Sequence, residues 1–258
     1  MTEQDILIEK EDGIATVTLN RPNVKNALSI KMVKGLTEII EGFGEDDSVR
    51  AVIITGAGDA FCSGADLSHV QKDSSFVMKG CTSAQELVTS VMTLEKPVIA
   101  AVNGYATAGG CELAIACDIR IASEKASFGE FFIRIGLIPA MVGVYLLPRL
   151  IGQSRAKELI FTGDLIDAGE AERIGLINRV VPSESLMDEA KALGRRLANG
   201  PVLAIGKAKV AINRSLDSDL RGTLDNIAMV QSKLAETEDH KEGVAAFLEK
   251  RKAKFRGK

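Results

Sequence analysis

The chain has few of the residues that hold metals. Its four cysteines (Cys62, Cys81, Cys111, Cys117) show no C-x-x-C spacing, and its two histidines (His69, His240) form no cluster with them. That pattern argues against a metal centre and for reduced thiols in the cytosol. An excess of positive charge is also missing: 32 Lys and Arg stand against 35 Asp and Glu, a net charge of −3 with no electrostatic footprint for nucleic acid. No apolar run approaches the ~20 residues that a membrane helix needs. The opening residues, Met1-Thr2-Glu3-Gln4-Asp5, are acidic and polar and do not read as a signal peptide. The expectation is a soluble cytoplasmic protein that engages neither membrane nor nucleic acid. The basic tail from Lys250 to Arg256 reads as a solvated helix end.

At 258 residues with 46% hydrophobic content, the chain can bury a core without staples. Residues 6–8 and 14–19 flank Glu11-Asp12-Gly13, a hairpin turn. Ser29 predicts an N-cap for a helix with Met32, Val33, Leu36, Ile39 and Ile40 on one face. Short apolar runs at 51–55, 97–102, 118–122 and 176–181 predict strands, with a helix carrying Leu87, Val88, Val91 and Leu94 before Pro97. Residues 68–80 read as an irregular loop over a site. Pro139 and Pro148 punctuate an apolar region. From Ser185 on, amphipathic segments at 185–198, 201–214, 219–236 and 239–252 predict an all-helical end. Strand and helix alternate at intervals of roughly 40–50 residues, which hints at stacked turns of a spiral.

The segment 101–113, Ala-Val-Asn-Gly-Tyr-Ala-Thr-Ala-Gly-Gly-Cys-Glu-Leu, organises this reading. It leaves a strand, turns at Asn103-Gly104 and opens a helix on glycines. The first N–H groups of a helix have no internal partner, so such a start donates to developing negative charge. Glu112 follows within reach of chemistry polarised there. Ser63-Gly64-Ala65-Asp66 has the same physical character. Either segment alone is more often a plain turn, but two amides aimed at one carbonyl form an oxyanion hole.

Lys96-Pro97-Val98-Ile99-Ala100-Ala101-Val102-Asn103-Gly104, with Gly109-Gly110-Cys111-Glu112-Leu113, resembles the signature of the enoyl-CoA hydratase/isomerase (crotonase) family. So do Asn20-Arg21-Pro22 with Asn26-Ala27-Leu28, Phe61-Cys62-Ser63-Gly64-Ala65-Asp66-Leu67, Thr162-Gly163-Asp164, and the tail from Glu238 to Arg251. The resemblance runs nearly end to end. It implies an α/β fold, a crotonase-like spiral of ββα turns over residues 1–199 carrying an acyl-CoA site. A C-terminal helical region, 200–258, would serve trimer assembly, as a homotrimer or dimer of trimers. No cofactor is implied beyond the coenzyme A of the substrate. The oxyanion donors would be Ala65 and Gly109, with Glu112 activating water. Ala27, Ala65, Asp66, Leu67, Gly109, Phe132, Met141, Phe247 and Lys250 are the implied substrate-binding positions.

The chain departs from the family at its second acid. The place of the glutamate that usually serves the α-carbon is held by Phe132, and the aspartate some isomerases carry after Ile-Pro is replaced by Ala140. Three readings stay open. Glu112 alone activates water and returns a proton. Glu130, two residues along an extended strand from Phe132, swings in as a second acid, against the plain alternative of a rim charge. Or Glu112 shuttles a proton between carbons in a double-bond isomerisation. A non-catalytic acyl-CoA binder is the alternative from another class. Asp66 reads better as a cap or hydrogen-bond acceptor than as a catalyst, His69 and His240 as solvated, Cys111 as a packing residue, and Phe247 as core or CoA contact.

Overall fold

The computed structural model describes residues 5–67 and 74–258. An antiparallel hairpin, β1 (Ile6–Glu11) and β2 (Ile14–Leu19), opens the chain. Asp12 and Gly13 turn it with φ of 53° and 77°. Helix α1 (Ile30–Glu45) follows, capped by Ser29, whose hydroxyl accepts from Met32 N at 3.1 Å. It buries Met32, Val33, Leu36, Ile40 and Phe43.

The body is then wound in laps, each giving one strand to each of two sheets. The first lap is β3 (Ala51–Gly56), β4 (Ala60–Cys62) and α2 (Ser74–Thr93). The second is β5 (Val98–Val102), β6 (Tyr105–Thr107) and α3 (Gly109–Ala116). The third brings β7 (Ile119–Ser123) and β8 (Ser127–Gly129), followed by a 3₁₀ turn, Phe131–Ile135. β3, β5 and β7 run parallel in one sheet, ordered β1-β2-β3-β5-β7-β10, where β10 is Arg179–Val181. β4, β6 and β8 run parallel in the second, ordered β4-β6-β8-β9, where β9 is Ile166–Asp167. The spiral expected from the resemblance is therefore present, with the reason visible in burial. Val98–Val102 is buried along its whole length, as a central parallel strand covered on both faces must be. Side chains alternate between two cores: Ile53, Ile99 and Ile121 face one, Val52, Ile54 and Ala100 the other.

Helices α4 (Gly143–Ile151) and α5 (Gln153–Thr162) lead into β9, and α6 (Ala168–Arg173) joins β9 to β10. Pro148 sits inside α4 rather than ending it. The chain ends in α7 (Leu186–Ala198), α8 (Val202–Ser215), α9 (Leu220–Ala235) and α10 (Glu238–Leu248).

Two expectations are corrected. Of the loop read at 68–80, residues 74–80 belong to α2, and 68–73 lie outside the described residues, as does His69. The last helix stops at Leu248, so the basic tail is not a helix end. It folds back instead: Arg256 N and Gly257 N donate to the Asp239 carboxylate at 2.6 and 2.9 Å, and Arg251 pairs with Glu242. The short strands β4, β6, β8 and β9 add to the pattern legible in the sequence, because two or three residues are too few to carry a period.

Candidate active site

Two strand-to-helix turns meet at the edge of the second sheet. The ladder pairs Cys62 with Ala106, so Ala65 and Gly109 each follow three residues beyond a paired position. Thr107 Oγ1 donates to Ser63 O at 3.2 Å and ties the turns together. Gly64 packs so closely that an added Cβ would lie 3.0 Å from Thr107 O and 3.1 Å from Gly109 N. Each prospective donor is preceded by a residue with positive φ: Gly64 at 98°, which glycine adopts freely, and Ala108 at 49° with ψ −124°, which an alanine does not. Residues so strained persist where surrounding structure over-determines them, often at functional sites. Here Ala108 is held by its own amide, which donates to Gly129 O at 2.7 Å. The result turns the Ala65 and Gly109 amides out of the ladder; among the described residues neither has a hydrogen-bond partner. Gly110 fits because an added Cβ would stand 2.0 Å from Cys62 O.

Earlier segments of the chain brace these turns. Asn26, wholly buried at φ 56°, donates through Nδ2 to Ala57 O (2.9 Å) and Ala60 O (2.7 Å), while its Oδ1 accepts from Arg21 N (2.8 Å). Arg21 in turn pairs with Asp66 at 3.0 Å, so Asp66 acts as an acceptor that fixes the turn.

Glu112 is 0% exposed. Its Oε1 accepts from Gly143 N (2.6 Å) and Met141 N (3.0 Å), and its Oε2 from Ala140 N at a long 3.4 Å. These amides form the approach to α4, whose N-terminus favours a negative charge there. Burial pushes the carboxyl above its usual range, and the amides of Gly143, Met141 and Ala140 pull it back. Gly143 permits the approach: an added Cβ would lie 2.9 Å from Oε1.

A chamber of about 450 Å³ opens beside the two amides. Ala65, Asp66, Leu67, Gly109, Phe132 and Met141 line it, so six of the expected binding positions converge. Leu28, Val33, Ile135 and Leu137 complete its apolar wall, and Gln85 Nε2 donates to Ala140 O at 2.9 Å to tie that wall to α2. Glu112 lies directly behind Ala140 and Met141. Ala27 stays at the margin, buried, with its carbonyl accepting from Arg21 at 2.6 Å. No sequence signal marked residues 140–143 as amide donors, since backbone groups carry no identity in a sequence.

Other expected positions fall elsewhere. Phe247 is 82% exposed at the end of α10, which overturns core packing, and Lys250 is exposed beyond it. Neither reaches this chain's chamber. Glu130 is not a rim charge: it is 1% exposed. Residues 131–135 coil into a 3₁₀ turn, so the strand alternation invoked for Glu130 and Phe132 does not apply. Phe132 lines the chamber, while Glu130 faces the interior.

Comparison with known proteins places the chain in a family. The enoyl-CoA hydratase/isomerase family profile matches residues 9–258. The chain is 40% identical over 257 residues to the crotonyl-CoA hydratase of Syntrophomonas wolfei, covering 99% of each. It is 41% identical over 254 residues to the short-chain-enoyl-CoA hydratase of Clostridium acetobutylicum, covering 98% of this chain and 97% of that one. The crystal structure of enoyl-CoA hydratase from Bacillus anthracis superposes with a TM-score of 0.95 at 38% identity, over 99% of this chain and 100% of the other. Spiral, paired turns and sequence thus lead to one conclusion: the chain belongs to the enoyl-CoA hydratase/isomerase family and is an enzyme of that type.

Proposed function

We propose that the chain adds water across the double bond of an α,β-unsaturated acyl-CoA, with Ala65 and Gly109 as oxyanion donors and Glu112 as the acid/base. The observation that carries this reading is the pair of unpartnered amides on the chamber wall with a buried, amide-held carboxylate behind them. The thioester oxygen sits between the Ala65 and Gly109 N–H groups. As water oxygen bonds to the β-carbon, Glu112 takes a proton from it and the π electrons move toward the thioester oxygen. Glu112 then gives that proton to the α-carbon, so one water is added and the enzyme is restored. Oε2, with its single long contact, is the oxygen with capacity for the proton. Ala140 and Met141 must yield for it to meet the substrate. Loss of one oxyanion donor typically costs ~3 kcal/mol in the transition state.

The wall of Phe132, Leu137 and Met141 offers no partner for a charged acyl end, so the acyl group is a hydrocarbon, short or alicyclic. Coenzyme A enters as part of the substrate. Residues 200–258 form the assembly region of a homotrimer or dimer of trimers, where Phe247 and Lys250 would reach a neighbour's coenzyme A. Exposed Phe247, Leu248 and Leu224 support that reading.

With crotonyl-CoA the enoyl thioester absorbance should fall, and Glu112→Gln should lower kcat by about 10³-fold with unchanged circular dichroism. Activity surviving within about tenfold in that variant would sink the role of Glu112. The missing acids at Phe132 and Ala140 favour one second reading, double-bond isomerisation by Glu112. Deuterium entering the acyl chain from solvent without gain of water would select it.

A further inference from the structure

Among the described residues, Glu130 alone has buried side-chain oxygens with no hydrogen-bond partner, and both of its oxygens are in that state. The burial is imposed by the fold. Thr107 pairs with Gly129 in the β6–β8 ladder, and Ala108 N donates to Gly129 O, so Glu130 emerges next to the strained residue that aims the Gly109 amide. The Cys111 thiol, a weak donor, lies close enough to favour the charged form somewhat, yet it leaves both oxygens outside ordinary hydrogen-bond geometry. Two titratable groups act on it, Glu112 and Cys111, both from α3.

Two carboxyls of one site thus share burial but not donors. Glu112 receives three amides; Glu130 receives none. An ionised carboxyl without donors in such a place is costly, and a second charge nearby makes it more so. Where two titratable groups are pushed apart by their surroundings, one becomes the base and the other keeps the proton. We propose that Glu130 is a positioning residue of the hydration site, the proton-bearing half of a pair with Glu112, which confines the site's negative charge to Glu112. This rests on the reading of Glu112 as the base. Glu130 does not line the chamber and keeps its hydrogen throughout the cycle, so it acts through Glu112 and not on substrate. Burial holds the Glu130 carboxyl well above the usual range, with the Glu112 charge adding to it. Its ionisation at high pH would place a second charge beside the base and end activity.

Infrared spectroscopy of the whole protein tests the pair without substrate. At pH 7 the carbonyl band of a protonated carboxyl is expected in the wild type and is lost in Glu130→Gln. In Glu112→Gln the band persists, and disappears at a pH lower by about one unit or more than in the wild type. With crotonyl-CoA, Glu130→Gln should remove the alkaline limb of the kcat/KM profile while KM changes by less than about twofold. No such band, a band that titrates at the same pH with and without Glu112, or an alkaline limb unmoved in Glu130→Gln overturns the proposal. If Glu130→Gln does not fold, the comparison of wild type with Glu112→Gln decides alone. Failure of every enoyl-CoA to react would remove the proposed hydration, while the infrared bands would still report whether the two carboxyls form the pair.

Discussion

Helices α3 and α9 are both rich in apolar residues, yet every residue of α3 is buried and none of α9 is. α3 is enclosed by β4, β6, α2 and α4 of its own chain. α9 meets α8 and α10 and leaves Leu220 (75%), Leu224 (52%) and Met229 (53%) to the outside. A helix that is apolar all round belongs in an interior. The difference teaches where each gets its position. The glycines and carboxylate of α3 are fixed by intrachain packing, which is what preorganised donors need. The apolar face of α9 is left uncovered by the fold of this one chain.

The strongest way to break this contrast is Gly110→Ala. Its methyl would meet Cys62 O at 2.0 Å, inside a wall with nowhere to shift, and stability should fall by about 4 kcal/mol or more. Gly222→Ala on α9 meets only the Asp219 carboxylate, at 3.2 Å, and should change stability by less than about 1 kcal/mol. Urea midpoints of the two variants compare the helices directly; equal losses would deny the contrast.

Next in size is the tie between the regions. Lys209 on α8 is buried against Asp118 (2.9 Å) and donates to Val91 O (2.7 Å) and Lys96 O (3.1 Å). Lys209→Met leaves Asp118 without its cation and should cost about 3 kcal/mol in denaturant unfolding. A variant as stable as the wild type would mean that the helical end is held by apolar packing.

Smaller, and dependent on pH, is Glu130→Gln. Burial and the Glu112 charge raise this carboxyl well above its usual range in the folded protein, while the unfolded chain ionises it above ~4.3. The wild type therefore loses stability relative to the variant as pH rises from that point toward the folded value, and the gap closes as pH falls below it. Unfolding midpoints at pH 5 and pH 8 should show the variant's advantage growing; a constant gap would mean an ionised Glu130. Least disturbing to the fold is Leu224→Asp with Phe247→Asp. Helix content should stay unchanged, while sedimentation reports a smaller particle; an unchanged mass would leave the exposed face of α9 unexplained.

Legibility follows the same division. The hairpin, the Ser29 cap, the strand entering Asn103-Gly104 and the helical end are readable because each rests on local pattern: alternation, capping chemistry, a 3.6-residue period. The residues around Gly64-Ala65 and Gly109-Gly110-Cys111-Glu112 can be singled out because close backbone approach demands small side chains. Glu130 is not readable in this way, because its burial comes from a 3₁₀ turn and a lone glutamate carries no sign of being enclosed. Phe247 is not readable either, because an exposed phenylalanine on a helix has the same local pattern as a buried one.

By itself the sequence determined which residues could serve as donors and base, and the order of strand and helix that winds them into laps. Only the tertiary structure decided that Cys62 pairs with Ala106, that Ala108 is strained to aim its neighbour's amide, and that three amides hold one carboxylate while the other has none. The physical reason is that hydrogen-bond supply in an interior depends on which backbone groups remain unpaired, and that is settled when distant segments pack.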